Sequence, residues 1–245
     1  MILSIQNVSK AFGGLQAIWD VSLEVPAGEI LGLIGPNGSG KTTLFNLITG
    51  FHPVDSGSIL FNGLNITGFP PHRICHIGIG RAFQVVKPFS HITVLENVSV
   101  GALFGKGTKV KTRKTANLQA EEILHFTDLI DKRDWPAESL TIGQRKRLEV
   151  ARALATNPQL LLLDEVAAGL NPVEVEDMIQ LIQKIHQRKI TLIIIEHVLP
   201  VVMTLCHRIV VLNYGQKIAE GKPQKIANDP AVIEAYLGEG MQNAS

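Results

Sequence analysis

Apolar residues along the chain fall into short, largely uninterrupted runs that alternate with stretches of helical periodicity. Short apolar runs bounded by polar or turn residues are typical of strands buried on both faces. Helices between such strands favour an α/β fold with a largely parallel core sheet. The predicted core elements, in chain order, are a strand at 29–34, a helix at 42–49, a strand at 160–163, a helix at 172–186 and a strand at 190–195.

Two regions near the start of the chain depart from this core pattern. The first 30 residues and the segment 57–63 alternate apolar and polar residues over short distances, as half-buried strands do. The second region ends in Asn62-Gly63, a dipeptide typical of hairpin turns. We therefore expect an antiparallel patch beside the core.

The block between about 93 and 156 is mostly helical in pattern. Thr93 is placed as a helix cap, with Glu96 three residues later. We expect a helical subdomain, at about 90–156, inserted between the two parts of the core. It includes a basic segment for which a solvated loop is favoured over a docking surface. The basic residues of this segment are Lys106, Lys109, Lys111, Arg113 and Lys114.

A glycine-rich loop follows the first core strand and carries the clearest chemical signal. Its sequence is Gly35-Pro36-Asn37-Gly38-Ser39-Gly40-Lys41-Thr42, which matches G-x-x-x-x-G-K-[ST] between a strand and a helix. Its glycines let backbone N–H groups face phosphate oxygens, and the following helix adds its positive end. Lys41 is expected to reach the β- and γ-phosphates, while Thr42 offers a hydroxyl to Mg²⁺. The loop, with Thr43 next to it, therefore predicts a site for a nucleoside triphosphate.

A pair of carboxylates closes the strand predicted at 160–163. Successive strand residues point to opposite sides, so Asp164 and Glu165 can have different functions. Asp164 is placed to hold Mg²⁺, and Glu165 to accept a proton from the water that attacks the γ-phosphate. A solvated turn would be the ordinary explanation of such a pair, but the phosphate loop favours the catalytic one.

Composition narrows the possible classes of protein. The 245 residues include 23 Lys+Arg and 22 Asp+Glu, and a formal net charge of +1 disfavours a histone-like or polybasic membrane protein. Cys75 and Cys206 lie in no metal-binding spacing and are expected to be buried free thiols. The chain start lacks a signal pattern, and the apolar runs are far shorter than the roughly 20 residues of a membrane span.

A motif shortly before the carboxylate pair carries a family resemblance. Leu140-Thr141-Ile142-Gly143-Gln144, followed by a basic helix at 145–154, resembles the signature motif of ATP-binding cassette (ABC) ATPases. The resemblance implies a P-loop NTPase (RecA-like) core sheet with an antiparallel β subdomain and an inserted helical subdomain, residues 1–245 forming one nucleotide-binding domain. It also implies that Thr141, Gly143 and Gln144 contact the γ-phosphate of ATP held by an opposite subunit.

Three further residues and one segment match the family pattern, and the resemblance implies a role for each. Phe12 stands where an aromatic ring stacks on adenine, and Gln84 where a glutamine senses Mg²⁺ and the attacking water. His197 matches the histidine that contacts the γ-phosphate, and the segment 168–171 matches the loop that crosses the dimer interface.

Three departures from the family pattern are also visible. Ile142 adds a branched side chain within the signature, Val166 replaces a common proline, and Asn171 replaces a more frequent aspartate. Since none of them removes a catalytic group, we expect an active ATPase.

The motifs are similar to those of the first of the two ATP-binding subunits in branched-chain (hydrophobic) amino-acid importers. Residues that carry this likeness lie at 81–84, 167–172, 195–197, 208–215 and 218–221. The resemblance implies two integral membrane permease subunits, a second ATP-binding subunit that is identical or related, and an extracytoplasmic substrate-binding protein acting indirectly. It implies no nucleic acid, and a peripheral position on the cytoplasmic face of the cell membrane.

The sequence leaves two alternative functions open for an ABC cassette. One is the cassette of a lipid or lipopolysaccharide exporter, and the other is a soluble non-transport ABC ATPase. A chain of 245 residues leaves no room for the paired cassettes or long insertions usual in the latter. A guanine-nucleotide switch is disfavoured because no Asn-Lys-x-Asp motif occurs.

Overall fold

The computed structural model describes residues 1–84, 88–106 and 112–242, and the side chains within this part except those of Leu199 and 237–242. The strands and helices, in chain order, are β1 (Leu3–Phe12), β2 (Leu15–Val25), β3 (Ile30–Ile34), α1 (Lys41–Ile48), β4 (Ser56–Phe61), β5 (Leu64–Asn65), α2 (Pro71–Ile77), β6 (Ile79–Ala82), α3 (Val94–Phe104), α4 (Arg113–Phe126), α5 (Ile142–Ala155), β7 (Leu160–Asp164), α6 (Pro172–Gln187), β8 (Thr191–Ile195), α7 (Leu199–Leu205), β9 (Arg208–Asn213), β10 (Gln216–Gly221), α8 (Pro223–Ile226) and α9 (Pro230–Gln242). They form two compact units, one made of residues 1–71 with the chain from 191 onward, the other of residues 72–190.

An antiparallel sheet with the strand order β2-β1-β4-β5 forms one part of the first unit. Leu3 and Ile5 of β1 are buried, as the alternation of a strand with one covered face requires, and a register shift after Ile5 moves the next buried position to Val8. Asn62 and Gly63, both at positive φ, connect β4 to β5. The antiparallel patch predicted from the sequence is therefore confirmed, including its turn.

A second group of strands in the first unit is mostly parallel. β3 pairs in parallel with β8 on one side and β9 on the other, while β10 adds to β9 in the antiparallel direction. Every residue of β3 and β8 is buried, which explains why these strands read as continuous apolar runs. Gly32 allows close packing here, because a Cβ at this position would lie 2.9 Å from Cys206 Sγ.

The second unit combines a parallel strand pair with packed helices. β6 and β7 run in parallel, with Arg81 opposite Leu162 and Ala82 opposite Leu163. Helix α3 packs against α4 and α5. The cap predicted at Thr93 is present as a capping box, in which Thr93 Oγ1 accepts from the Glu96 N–H and Glu96 Oε2 accepts from the Thr93 N–H.

The basic segment differs in part from the solvated loop expected. Lys109 and Lys111 lie outside the described residues. Arg113 and Lys114 belong to the first turn of α4, where Arg113 Nη2 lies 3.0 Å from Glu96 Oε1. The Lys106 N–H donates to Thr156 O over 2.7 Å, so the backbone at this residue is fastened to the end of α5. Helix capping at Thr112 explains why the helix begins where the charge run suggested a loop.

Both cysteines are free thiols, as expected, but only Cys206 is buried, while Cys75 is half-buried. Burial raises the pKa of each thiol, that of Cys206 to about 12. Neither thiol is therefore activated as a nucleophile.

Among residues 1–84, 88–106 and 112–242, no helix has both the length and the apolar character needed to cross a bilayer.

Candidate functional site

The glycine-rich loop lies between the end of β3 and the start of α1, as predicted. Gly40 is the N-cap of α1 at φ 104°, a left-handed conformation that favours glycine. A Cβ at Gly40 would lie 2.6 Å from Ala17 O, so the backbone is packed closely on that side. Gly38, at φ 74°, has open space where its Cβ would be. The loop is therefore closed towards β2 and open at Gly38, a shape that suits a cradle for an anion.

Lys41 is the residue that joins the two ends of this loop. Its Nζ donates to Gly35 O over 2.8 Å and to Pro36 O over 2.7 Å, and the residue is only 6% exposed. Because these acceptors are backbone carbonyls of the loop, the loop itself helps to hold the ammonium in place. Thr42 is exposed and Thr43 is half-buried in the first turn of α1. Pro36, Asn37 and Ser39 complete the loop.

Asp164 ends β7, a strand in which all five residues are buried. Its Oδ2 lies 2.6 Å from Arg81 Nη2. Its Oδ1 is buried and has no hydrogen-bond partner among the described residues. Burial raises the pKa of Asp164, an effect that the hydrogen bond from Arg81 opposes. One carboxylate oxygen is therefore paired, and the other is available to a ligand.

Glu165 follows directly and has a different environment. It is half-exposed, and its φ of 51° is uncommon for a residue with a side chain. Gln84 Nε2 donates to Glu165 Oε2 over 2.6 Å. The two residues assigned to the attacking water, Glu165 from the carboxylate pair and Gln84 from the resemblance, thus contact each other, although 81 positions separate them in the chain.

Lys146 is a residue of this cluster that the sequence analysis did not find. It lies on α5, is 6% exposed, and its Nζ donates to Glu165 O over 2.7 Å and to Gln84 O over 3.2 Å. Arg81 was likewise not assigned a role of its own. A lysine within a basic helix looks like a solvent-facing residue, and no spacing along the chain marks either contact.

The signature residues form the N-terminus of α5. Thr141 is the N-cap, and its Oγ1 accepts from the Gln144 N–H, while Gln144 Oε1 accepts from the Thr141 N–H. Ile142, the departure from the family pattern, is 66% exposed. The branched side chain therefore leaves the cap intact and stands at the surface.

Gly143 lies where a side chain would meet a neighbouring carboxylate. A Cβ at this position would lie 2.5 Å from Oε1 of Glu174. Glu174 Oε2 accepts from the Asn171 N–H over 3.1 Å, and Asn171 caps α6. One carboxylate thus contacts the N-termini of α5 and α6 together. Asn171 performs the capping that an aspartate would also provide.

Phe12 and His197 are the remaining predicted contacts, and both are exposed. Phe12 ends β1, is 42% exposed, and its ring lies edge-on to that of His52 at 5.1 Å. His197 follows two residues after β8. An exposed ring and an exposed imidazole suit contact with a ligand, and their assigned roles stay predictions.

A magnesium ion requires hard oxygen ligands, and Asp164 meets this requirement. Its buried, unpartnered Oδ1 is the kind of atom that a cation would satisfy. No cluster of three or more His, Cys, Asp or Glu residues occurs in the described part of the chain. That donor set fits Mg²⁺, which is usually held by one or two carboxylates with phosphates and waters.

Comparison with known families agrees with these features. A family model described as ABC transporter matches residues 18–168, and a second, described as branched-chain amino acid ATP-binding cassette transporter, matches residues 216–241. In structure, the chain is similar to an ATP-binding cassette of an ABC transporter solved in its ADP conformation. The TM-score is 0.88 at 36% identity, covering 97% of this chain and 98% of that one.

The chain therefore belongs to the ABC transporter family, as an ATP-binding cassette, and the predicted fold class is confirmed. Among curated relatives, it is 39% identical to the high-affinity branched-chain amino acid transport ATP-binding protein BraF of Pseudomonas aeruginosa, covering 97% of this chain and 98% of the relative. It has the same identity and coverage with LivG of Escherichia coli strain K12. It is 41% identical to a probable LivG of Archaeoglobus fulgidus, covering 97% and 95%.

Proposed function

We propose that this chain is the ATP-hydrolysing subunit of an importer for branched-chain or other hydrophobic amino acids. The observation that carries the proposal is similarity along the whole chain to BraF and LivG, together with the match at residues 216–241 to the branched-chain amino acid cassette model. The phosphate loop and the carboxylate pair support ATP hydrolysis as the chemistry. Residues 1–245 would form one cassette, with the helical subdomain at about 90–156.

The phosphate loop would bind the triphosphate of ATP. Backbone N–H groups of residues 35–40 and the positive end of α1 favour phosphate oxygens, and the geometry at Gly38 leaves room for them. In the structure, Lys41 donates to two loop carbonyls. When ATP binds, Lys41 would exchange these contacts for contacts with the β- and γ-phosphates. Thr43 continues the first turn, and Phe12 would stack on the adenine ring.

Asp164 and Thr42 would hold magnesium through a carboxylate oxygen and a hydroxyl, with Gln84 as a further oxygen ligand. When bound, the ion neutralises negative charge that develops on the phosphates. Arg81 pairs with Oδ2 of Asp164, whereas Oδ1 is buried without a hydrogen-bond partner among the described residues. This second oxygen supports the assignment of Asp164 as a magnesium ligand.

Glu165 would accept the proton of the attacking water. A general base must lie within hydrogen-bond reach of that proton, and the Gln84 amide keeps the carboxylate in one orientation. Because Glu165 is half-exposed, water has access to it. His197 would contact the γ-phosphate, so its role is stabilisation of charge.

A second ATP-binding subunit, identical or related, would complete each site. Thr141, Gly143 and Gln144 would contact the γ-phosphate held by that subunit, because a helix N-terminus offers N–H groups to anions. A similar cassette has been solved as a dimer in a post-hydrolysis state bound to ADP and Pi, at 27% identity and TM-score 0.81. Binding energy that differs between open and closed dimers would drive the membrane subunits.

The other partners would be two integral membrane permeases, with an extracytoplasmic substrate-binding protein acting through them and no nucleic acid. The chain would lie on the cytoplasmic face of the membrane. Purification of the tagged chain from detergent-solubilised native membranes, with mass spectrometry of bound proteins, tests these partners. Recovery of permeases and a second cassette supports the proposal, and leucine uptake by the reconstituted complex tests the substrate. Ribosomal or DNA-bound partners alone would overturn the transport role.

A further inference from the structure

Lys146 is an unusual residue in the second unit because its ammonium is buried. Lysines on basic helices ordinarily extend along the surface and keep their charge in water. A buried ammonium is unfavourable unless it is hydrogen-bonded and accompanied by opposite charge. Lys146 meets both conditions, with two carbonyl acceptors and a favourable charge interaction with Asp164.

The two carbonyls that Lys146 contacts belong to the two residues whose side chains contact each other. Nζ donates to Glu165 O over 2.7 Å and to Gln84 O over 3.2 Å, while Gln84 Nε2 donates to Glu165 Oε2 over 2.6 Å. The three residues form a closed triangle of hydrogen bonds. Two of these hydrogen bonds run from the Lys146 side chain to backbone carbonyls. Lys146 therefore fixes the main-chain positions of Glu165 and Gln84.

The backbone of Glu165 needs such support. A residue with a side chain at φ 51° is in a sparsely populated conformation that persists only when its surroundings hold it. The Ala168 N–H also donates to Glu165 O, at 3.3 Å, but this contact is longer than the one from Lys146. The shorter bond, from a charged donor, therefore supplies the stronger restraint.

We propose that Lys146 is a positioning residue for ATP hydrolysis, one that fastens α5 to the backbones of Glu165 and Gln84. The proposal rests on the proposed function, in which Glu165 activates the attacking water. Lys146 contacts the backbones of Glu165 and Gln84, and its proposed effect on hydrolysis acts through Glu165. Because α5 begins with the signature residues, any displacement of this helix would be transmitted to the carboxylate through one side chain.

The test compares ATP turnover with ATP binding in the full chain, purified with the partners that remain bound to it. Lys146→Met keeps the length of the side chain and removes the three donors. A misplacement of about 1 Å can reduce a rate on the order of 10²-fold, so we expect kcat to fall by about that factor. The dissociation constant for MgATP should stay within about threefold, because the phosphate loop is untouched.

Two further variants separate positioning from general stability. Lys184→Met is the matched control, because Lys184 is exposed on α6 of the same unit, and its kcat should be unchanged. Lys146→Arg retains a charged donor and should recover most of the lost rate. Hydrogen exchange supplies a readout independent of turnover, and Lys146→Met should speed exchange in a peptide spanning 162–168 with little change in α3.

Each outcome bears on the proposal. A wild-type kcat in Lys146→Met, or equal losses of kcat and MgATP affinity with a lowered Tm, would overturn positioning and leave a structural lysine. Glu165→Gln, measured in parallel, tests the underlying assignment. If it is inactive while Lys146→Met is fully active, only the positioning role fails. If Glu165→Gln turns over normally, both proposals fail together.

Discussion

The phosphate loop and the carboxylate cluster, here meaning Asp164 and Glu165 with the side chains that hold them, are built in opposite ways. The loop is held mainly by contacts among its own residues, because Lys41 donates to carbonyls five and six positions earlier. The Gly215 N–H adds one contact from outside the loop, donating to Ser39 O over 3.0 Å. The cluster is held by Arg81 and Gln84 from more than 80 positions away and by Lys146 from α5. The first is a local structure, whereas the second depends on the packing of the whole second unit.

This difference separates two functions. A loop held mainly by contacts among its own residues presents N–H groups and an ammonium to phosphate from one short segment, which suits binding. A cluster assembled from distant segments responds when those segments move, which suits control of hydrolysis. Substitutions in the loop should therefore affect affinity first, and substitutions in the cluster should affect turnover or stability first.

The first expected effect is on nucleotide binding. Lys41→Ala removes the ammonium of the loop, and hydrogen bonds to charged groups contribute up to about 3 kcal/mol. We therefore expect MgATP affinity to fall roughly a hundredfold, measured by equilibrium titration. Lys222→Ala, at an exposed lysine before α8, is the control. Unchanged affinity in Lys41→Ala would contradict a binding role for the loop.

The next effect is on stability and depends on pH. Arg81→Met leaves Asp164 buried without its cation, and breaking a buried pair costs about 3–5 kcal/mol. Burial already raises the pKa of Asp164, and loss of Arg81 raises it further. The folded state then holds this proton more tightly than the unfolded state, so stability is lost as pH rises above the unfolded pKa of 3.8.

Urea unfolding of Arg81→Met should therefore show a larger loss at pH 7 than at about pH 4.5. Arg133→Met is the matched control, because Arg133 is 42% exposed and forms a surface pair with Glu121 at 2.8 Å. That variant should lose no more than about 1 kcal/mol. Equal losses for the two variants, without pH dependence, would contradict the buried pair as the support of Asp164.

The smallest expected effect concerns Gly143. A Cβ there would lie 2.5 Å from Glu174 Oε1, at the end of a flexible side chain that also accepts from the Asn171 N–H. Gly143→Ala should therefore lower the free energy of unfolding by no more than about 1 kcal/mol, the cost of displacing that carboxylate from the helix cap. In a Glu174→Ala background the same change should cost less, because the obstructing carboxylate is gone. Gly14→Ala serves as the control, since a Cβ at Gly14 meets nothing within 4 Å. A cost of Gly143→Ala that is independent of residue 174 would show that the contact is unimportant.

The same contrast explains what the sequence could predict. The loop, β3, β7 and the cap at Thr93 were predictable because each is encoded by neighbouring residues. Arg81, Lys146 and the contact of Glu174 with Gly143 were not, because each depends on a partner brought near by folding. Lys146 was especially hard to predict, because it is buried although it lies in a basic helix, where lysines normally face solvent.

The division between binding and hydrolysis is tested most directly with Glu165→Gln. A single preparation gives both the MgATP dissociation constant and the rate of phosphate release, compared with wild type. We predict affinity within about threefold and a rate lower by about 10²–10⁴-fold, since a general base contributes that much. Wild-type turnover in Glu165→Gln, or a loss of affinity as large as that of Lys41→Ala, would contradict the separation of the two regions.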